Sequence, residues 1–255
     1  MNRTLALIIC VLLVGCADLA PQNLSPAAPK LILILVGGNS ESISHGGIKD
    51  LYKGAAAQKA ESTVIKDLAA VLKISPDDVS VHYFSWTGDA EDQKGILPGH
   101  WNWITGGSAL IQDQLPQIRN DPSNRPKISI VGWSNGGATA YELSCDLTKR
   151  FSNNVSLLIT LDPVAWTTTP CVAVDGTPLR VASNWIDAYT HSSMLNRFQF
   201  GNIIALFGRA WNDNFPPLKA DDIQLVPDTN HGATLTMWKS KVITSPALKK
   251  WAESE

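Results

Sequence analysis

Residues 31 to 255 are predicted to fold as an α/β domain, a mostly parallel sheet with helices packed on both faces. Two observations carry that expectation. Continuous apolar runs such as "KLILILVGG" recur along the chain, and between them lie segments whose apolar residues repeat at helical spacing. Continuous runs mark strands buried on both faces, and strands that alternate with amphipathic helices build a parallel sheet covered on both sides. The chain has 255 residues, of which 44% are hydrophobic and 17% charged, enough for one large core.

The amino terminus stands apart from this pattern. "MNRTLALIICVLLVGC" begins with Arg3 and runs apolar from Leu5 to Val14, too short to span a bilayer and the right length for a signal peptide. At its end Leu13, Val14, Gly15 and Cys16 resemble the lipobox of bacterial lipoproteins, in which the cysteine becomes the lipidated first residue of the mature chain. The resemblance implies a signal peptide over residues 1–15 and a lipid anchor on Cys16, which holds the chain at a membrane of a bacterial envelope. Residue 17 is Ala, and Asp18 stands one place beyond the position where lipoprotein sorting usually reads aspartate as an inner-membrane signal. That favours the outer membrane, facing the periplasm. Residues 16–30 then form a tether: Pro21, Pro26 and Pro29 disfavour helix, and at about 3.1 Å per residue an extended segment of this length reaches about 40 Å.

Strands are expected at "KLILILVGG", "VSVHYFSW", "KISIVG", "VSLLITLD" and "DDIQLVPD". Helices are expected over residues 52–73, where Val64, Ile65, Leu68 and Leu72 share one side, and over residues 105–119 and 136–150. Cys10 leaves with the signal and Cys16 is the lipid site, so Cys145 and Cys171 remain. In an oxidising compartment they can pair or stay as two separate buried thiols.

The stretch "KISIVGWSNGGATAYEL" carries the chemistry. Gly132, Ser134 and Gly136 form G-x-S-x-G directly after a strand and before a helix, the setting of a nucleophile elbow. The turn is so sharp that side chains two residues either side of the serine would strike neighbouring backbone. At these residues, and at "LITLDPV" and "TNHG", the chain resembles the α/β-hydrolase fold, in particular its small lipases and esterases, over most of Leu31 to Glu255. Their elbows often read "GHSNGG" where this one reads "GWSNGG", so Trp133 replaces the usual histidine.

A serine hydroxyl becomes a useful nucleophile when a histidine takes its proton and a carboxylate fixes that histidine's tautomer. In this fold the chain order is Ser, acid, His. His45, His82 and His100 precede Ser134 and drop out, leaving His191 in "YTHSSM" and His231 in "TNHGAT". His231 follows the last expected strand and is favoured on topology. Asp162 ends "VSLLITLD", with Pro163 stopping further pairing, and is favoured as the acid; Asp187 in "NWIDAY" and Asp213 in "WNDNF" are its rivals.

An oxyanion hole needs two donors. The N–H of Asn135, next after the nucleophile, supplies one, and the loop after the first strand supplies the other from Gly38 or Asn39. His45, Gly46 and Gly47 imitate an esterase HGG motif but lie too far past the strand and read as a turn. No nucleotide-binding glycine pattern and no metal-ligand spacing occurs in the sequence, so neither cofactor nor metal is expected. The net charge is −2, and Arg3 is the only charge in the signal, so removing it leaves −3, an unsuitable balance for a general nucleic-acid binder.

Nine tryptophans bear on the substrate. Trp101 and Trp103 lie in the glycine-rich segment 85–107 at the expected catalytic edge, while Trp133 and Trp166 flank the nucleophile and the acid in sequence. All four are candidate walls of an apolar acyl pocket. The combined expectation is a hydrolase of small-molecule or lipid esters with apolar acyl groups. Thioester or amide hydrolysis or acyl transfer on the same triad stays open, as does a non-catalytic binding lipoprotein on a hydrolase scaffold.

Overall fold

The computed structural model describes residues 29–38, 47–51, 62–84, 126–151, 155–164, 170–191, 220–227 and 229–254. Six strands lie in them: β1 (Leu31–Val36), β2 (Val79–Phe84), β3 (Lys127–Trp133), β4 (Val155–Leu161), β5 (Ala182–His191) and β6 (Asp222–Pro227). They form one sheet in the order β2-β1-β3-β4-β5-β6, and every neighbouring pair is parallel. The expected α/β class is therefore the observed one.

Helices α1 (Ile48–Leu51), α2 (Thr63–Leu72), α3 (Asn135–Phe151), α4 (Thr234–Met237) and α5 (Pro246–Glu253) accompany the sheet, with a π-helical turn at Trp238–Val242 after α4. All six side chains of β1 are buried, which a strand achieves only when both faces are covered. Leu31, Leu33 and Leu35 point to the layer holding Ile65 and Leu68 of α2, Leu248 and Trp251 of α5, and Trp238. Ile32, Ile34 and Val36 point to the layer holding Ala140, Tyr141, Leu143 and Leu147 of α3. Period-two alternation thus divides one apolar run between two cores, and each fully buried aliphatic side chain contributes about 1.5–3 kcal/mol.

The helix expected over 52–73 is seen as α2; residues 52–61 lie outside the described residues, as does the helix expected over 105–119. Lys73 ends α2 in the left-handed conformation, φ 57°. The helix expected over 136–150 is α3. A disulfide joins Cys145 of α3 to Cys171, 26 residues on, with Cα atoms 5.6 Å apart. It ties α3 to the segment that leads into β5. Residues 1–28, with the expected signal peptide, Cys16 and most of the tether, lie outside the described residues. Among the described residues no helix is long and apolar enough to cross a membrane.

Candidate active site

Ser134 stands between β3 and α3 with φ 57°, where a non-glycine residue is uncommon. Two backbone contacts lock the bend: Ser134 N–H donates to Leu161 O at 3.1 Å, and Gly137 N–H donates to Ser134 O at 2.9 Å. Glycine at 136 is a steric requirement, since a Cβ there would lie 2.3 Å from Val36 O and 2.5 Å from Gly37 O. The helix start is thereby pressed onto the end of β1, and Ser134 is held at the carboxyl edge of the sheet.

Three side chains far apart in sequence meet at that edge. Ser134 Oγ lies 2.8 Å from His231 Nε2, and His231 Nδ1 lies 2.6 Å from Asp162 Oδ2. His231 is on the turn between β6 and α4, and Asp162 immediately follows β4. Asp162 shares the positive φ of Ser134, at 42°. Its backbone N–H donates to Ala188 O at 2.7 Å, which turns the carboxylate back over the end of β5. There it accepts two more hydrogen bonds, from Thr190 N–H at 3.1 Å and from Thr190 Oγ1 at 2.9 Å. With four acceptor positions on a carboxylate, both oxygens are engaged and the face toward Nδ1 is fixed. All three side chains are buried, so their interactions act in a medium of low dielectric.

The rival residues resolve differently. Asp187 lies within β5 beside Thr160 of β4, and its Oδ1 shares a 2.7 Å hydrogen bond with Thr160 Oγ1, not with an imidazole. Burial pushes its carboxyl up to about 7, opposed by the Thr160 hydrogen bond and helped by the charge of Asp162. His191 ends β5, and Asp213 lies outside the described residues.

Gly38 follows β1 directly above the bend: a Cβ there would lie 2.7 Å from Ser134 Cβ and 2.8 Å from Cε3 of Trp133. The loop backbone therefore passes at van der Waals distance from the serine. Asn135 opens α3, so its N–H belongs to the first helical turn, whose amides have no acceptor one turn earlier. Asn39 lies outside the described residues, together with Trp101, Trp103 and Trp166. Gly47, at φ 96°, begins the turn before α1, and its carbonyl accepts from Thr234 Oγ1 at 2.6 Å.

Trp133 requires a correction. It was expected to wall an apolar cleft, yet its ring is fully buried in the core, and its indole N–H donates to His231 O at 2.8 Å. Being the last residue of a central strand, it faces inward by the same alternation that places Val131 there. Thr190 is the residue that sequence reasoning missed. A lone threonine near a strand end carries no local signal, and only the β4–β5 register brings it to Asp162.

A parallel sheet with the serine bend at its centre, followed in chain order by acid and histidine, is the α/β-hydrolase fold. No family model and no curated protein matches the chain by sequence. Among solved structures it is similar to TT1662 from Thermus thermophilus, at 10% identity over 90% of this chain and 92% of that one, with a TM-score of 0.43. It is also similar to Est1E from Butyrivibrio proteoclasticus, at 13% identity over 89% and 88%, TM-score 0.39. A third similar structure is carboxyl esterase 2 from the mycorrhizal fungus Tuber melanosporum, at 12% identity over 89% and 78%, TM-score 0.43.

Proposed function

We propose that this chain is a serine hydrolase that cleaves carboxylic esters with apolar acyl groups through an acyl-enzyme intermediate. One observation carries the reading: the continuous hydrogen-bonded line from Ser134 Oγ through the His231 imidazole to Asp162, with separations of 2.8 Å and 2.6 Å. With its proton on Nδ1 facing Asp162, the imidazole leaves Nε2 to accept the Ser134 proton as the hydroxyl oxygen attacks the ester carbonyl. Asp162, held by Thr190, stabilises the imidazolium that forms. The N–H of Asn135 and an N–H of the Gly38–Asn39 loop receive the carbonyl oxygen as it gains negative charge. His231 then returns its proton to the leaving alcohol, and water, deprotonated by the same nitrogen, releases the acid.

The preference for apolar acyl groups rests on the tryptophan-rich segment 85–107 and on Trp166 in sequence. Lipidation of Cys16 would hold the domain at a bacterial envelope membrane, within reach of lipid esters. Turnover of p-nitrophenyl esters of graded chain length by the full chain tests the activity. Hydrolysis that disappears in Ser134→Ala supports the reading, and equal turnover by that variant contradicts it. Matching thioester and anilide substrates separate ester hydrolysis from the other acyl chemistries.

A further inference from the structure

Trp133, buried in the core, adjoins three parts of the proposed machinery: Ser134, the Gly38 loop and His231. It precedes Ser134 directly in the chain, and its ring lies against Gly38 of the loop assigned to the oxyanion. Its indole N–H donates at 2.8 Å to the backbone carbonyl of His231, 98 residues away. The indole and imidazole centroids are 5.1 Å apart, with their planes at 33°. The serine bend and the histidine turn belong to different segments, and the indole hydrogen bond links them independently of the Ser134–His231 and His231–Asp162 contacts.

We propose that Trp133 is a positioning residue, which clamps the carbonyl of His231 to the strand that bears Ser134 and so holds Nε2 in line with Oγ. The inference rests on the serine-hydrolase reading given above. Asp162 holds the imidazole by its Nδ1, which sets the ring's rotation, and Trp133 holds the main chain of His231, which sets where the ring pivots. Thr234, three residues on, bonds to Gly47 O and fixes the far end of the turn. Tryptophan serves here because a rigid buried ring, locked between Gly38 and the core, places a single N–H donor with little freedom to swing. Proximity effects make the clamp matter, because a misplacement of about 1 Å costs about a hundredfold in rate.

Trp133→Phe keeps an aromatic ring and removes the donor. Trp251→Phe is the matched control: Trp251 is equally buried, and its N–H donates to Ser156 Oγ at 3.0 Å, on β4 beside the amino-terminal ends of the neighbouring strands. For Trp133→Phe the expected result is a fall of about tenfold to a hundredfold in kcat, with KM changed by less than about twofold. Labelling of Ser134 by a fluorophosphonate slows in proportion, while Trp251→Phe keeps wild-type values of both at a similar loss of thermal stability. In the proton NMR spectrum, the low-field resonance of the His231 Nδ1–H broadens in Trp133→Phe and stays sharp in Trp251→Phe. A sharp, unshifted resonance and wild-type kcat in Trp133→Phe overturn the proposal, as does an equal fall of kcat in both variants. If the folded wild type neither turns over esters nor takes the probe, the serine-hydrolase reading itself has failed, a result distinct from an unchanged Trp133→Phe.

Discussion

Asp187→Asn removes a carboxyl that the folded protein prefers to keep protonated, and its effect on stability reverses the usual expectation for losing a buried polar residue. Asp187 is 6% exposed and shares the Thr160 hydroxyl with Trp185, whose indole N–H donates to that oxygen at 3.0 Å. Burial is the main cause that lifts its carboxyl from 3.8 to about 7, and the nearby charge of Asp162 adds to it. The native state therefore binds this proton more tightly than the unfolded chain does. The stability it contributes is complete below about 3.8, falls as pH rises, and is gone above about 7. The whole change corresponds to about 4 kcal/mol, of which about 3 kcal/mol is lost between pH 5 and 8. Asparagine has nearly the same shape, stays neutral, and still hydrogen-bonds Thr160. Urea unfolding of both proteins at pH 5 and pH 8 gives the check, because groups common to both cancel in the difference. From the lower to the higher pH the variant gains about 3 kcal/mol on the wild type. Parallel pH responses of the two proteins would refute the reasoning.

Two further outcomes follow from the same geometry. Thr190→Val deletes the 2.9 Å hydroxyl bond to Asp162 and keeps the backbone one, so kcat should fall about fivefold to twentyfold with KM nearly constant, as an initial-rate series would read. A wild-type kcat would remove Thr190 from the positioning of the acid. Replacing both Cys145 and Cys171 by serine opens a loop closed across 26 residues and should cost about 3–4 kcal/mol in urea unfolding, with little change in kcat because Cys145 sits two turns or more along α3 from Ser134. An unchanged denaturation midpoint would show that the bridge adds nothing to the fold.

Much of this architecture was legible because burial leaves a simple trace. β1 is apolar at every position and buried at every position, so its sequence and its environment agree. The expected strand "KISIVG" was legible for the same reason, and the bend after it because Gly136 leaves no room for a side chain. β5 was not among the expected strands. Its segment, "ASNWIDAYTH", carries Asn184 and Asp187 inside a parallel sheet, where Asn184 Nδ2 donates to Ser156 O at 3.3 Å and Asp187 Oδ1 accepts from Thr160 Oγ1. The partners of the Asn184 Nδ2 and of the Asp187 carboxyl belong to another strand, and Asn184 Oδ1 has no hydrogen-bond partner among the described residues, so local patterning does not reveal this strand. β6 is the expected strand "DDIQLVPD"; among the described residues it ends the sheet, with Ile223 and Leu225 exposed at 55% and 41%.

The candidate acid shows the same limit within the candidate site. Asp162 and Asp187 both stand near the carboxyl ends of adjacent strands, and composition does not tell them apart. What separates them is position. Asp162 lies one residue past β4, where a positive φ swings the carboxylate toward His231, whereas Asp187 is still inside the ladder. Trp133 was misassigned because its partner is distant in sequence. The tendency of a residue beside a nucleophile to line a pocket yielded to the inward facing of the last position of β3.

Incubating the folded full-length protein with a fluorophosphonate probe and mapping the adduct by mass spectrometry tests the meeting of Ser134, His231 and Asp162 most directly. The account predicts one adduct, on Ser134, absent from Ser134→Ala and formed far more slowly by a folded His231→Ala. A Ser134 that stays unmodified in the wild type, or that reacts as fast once the imidazole is gone, would contradict it.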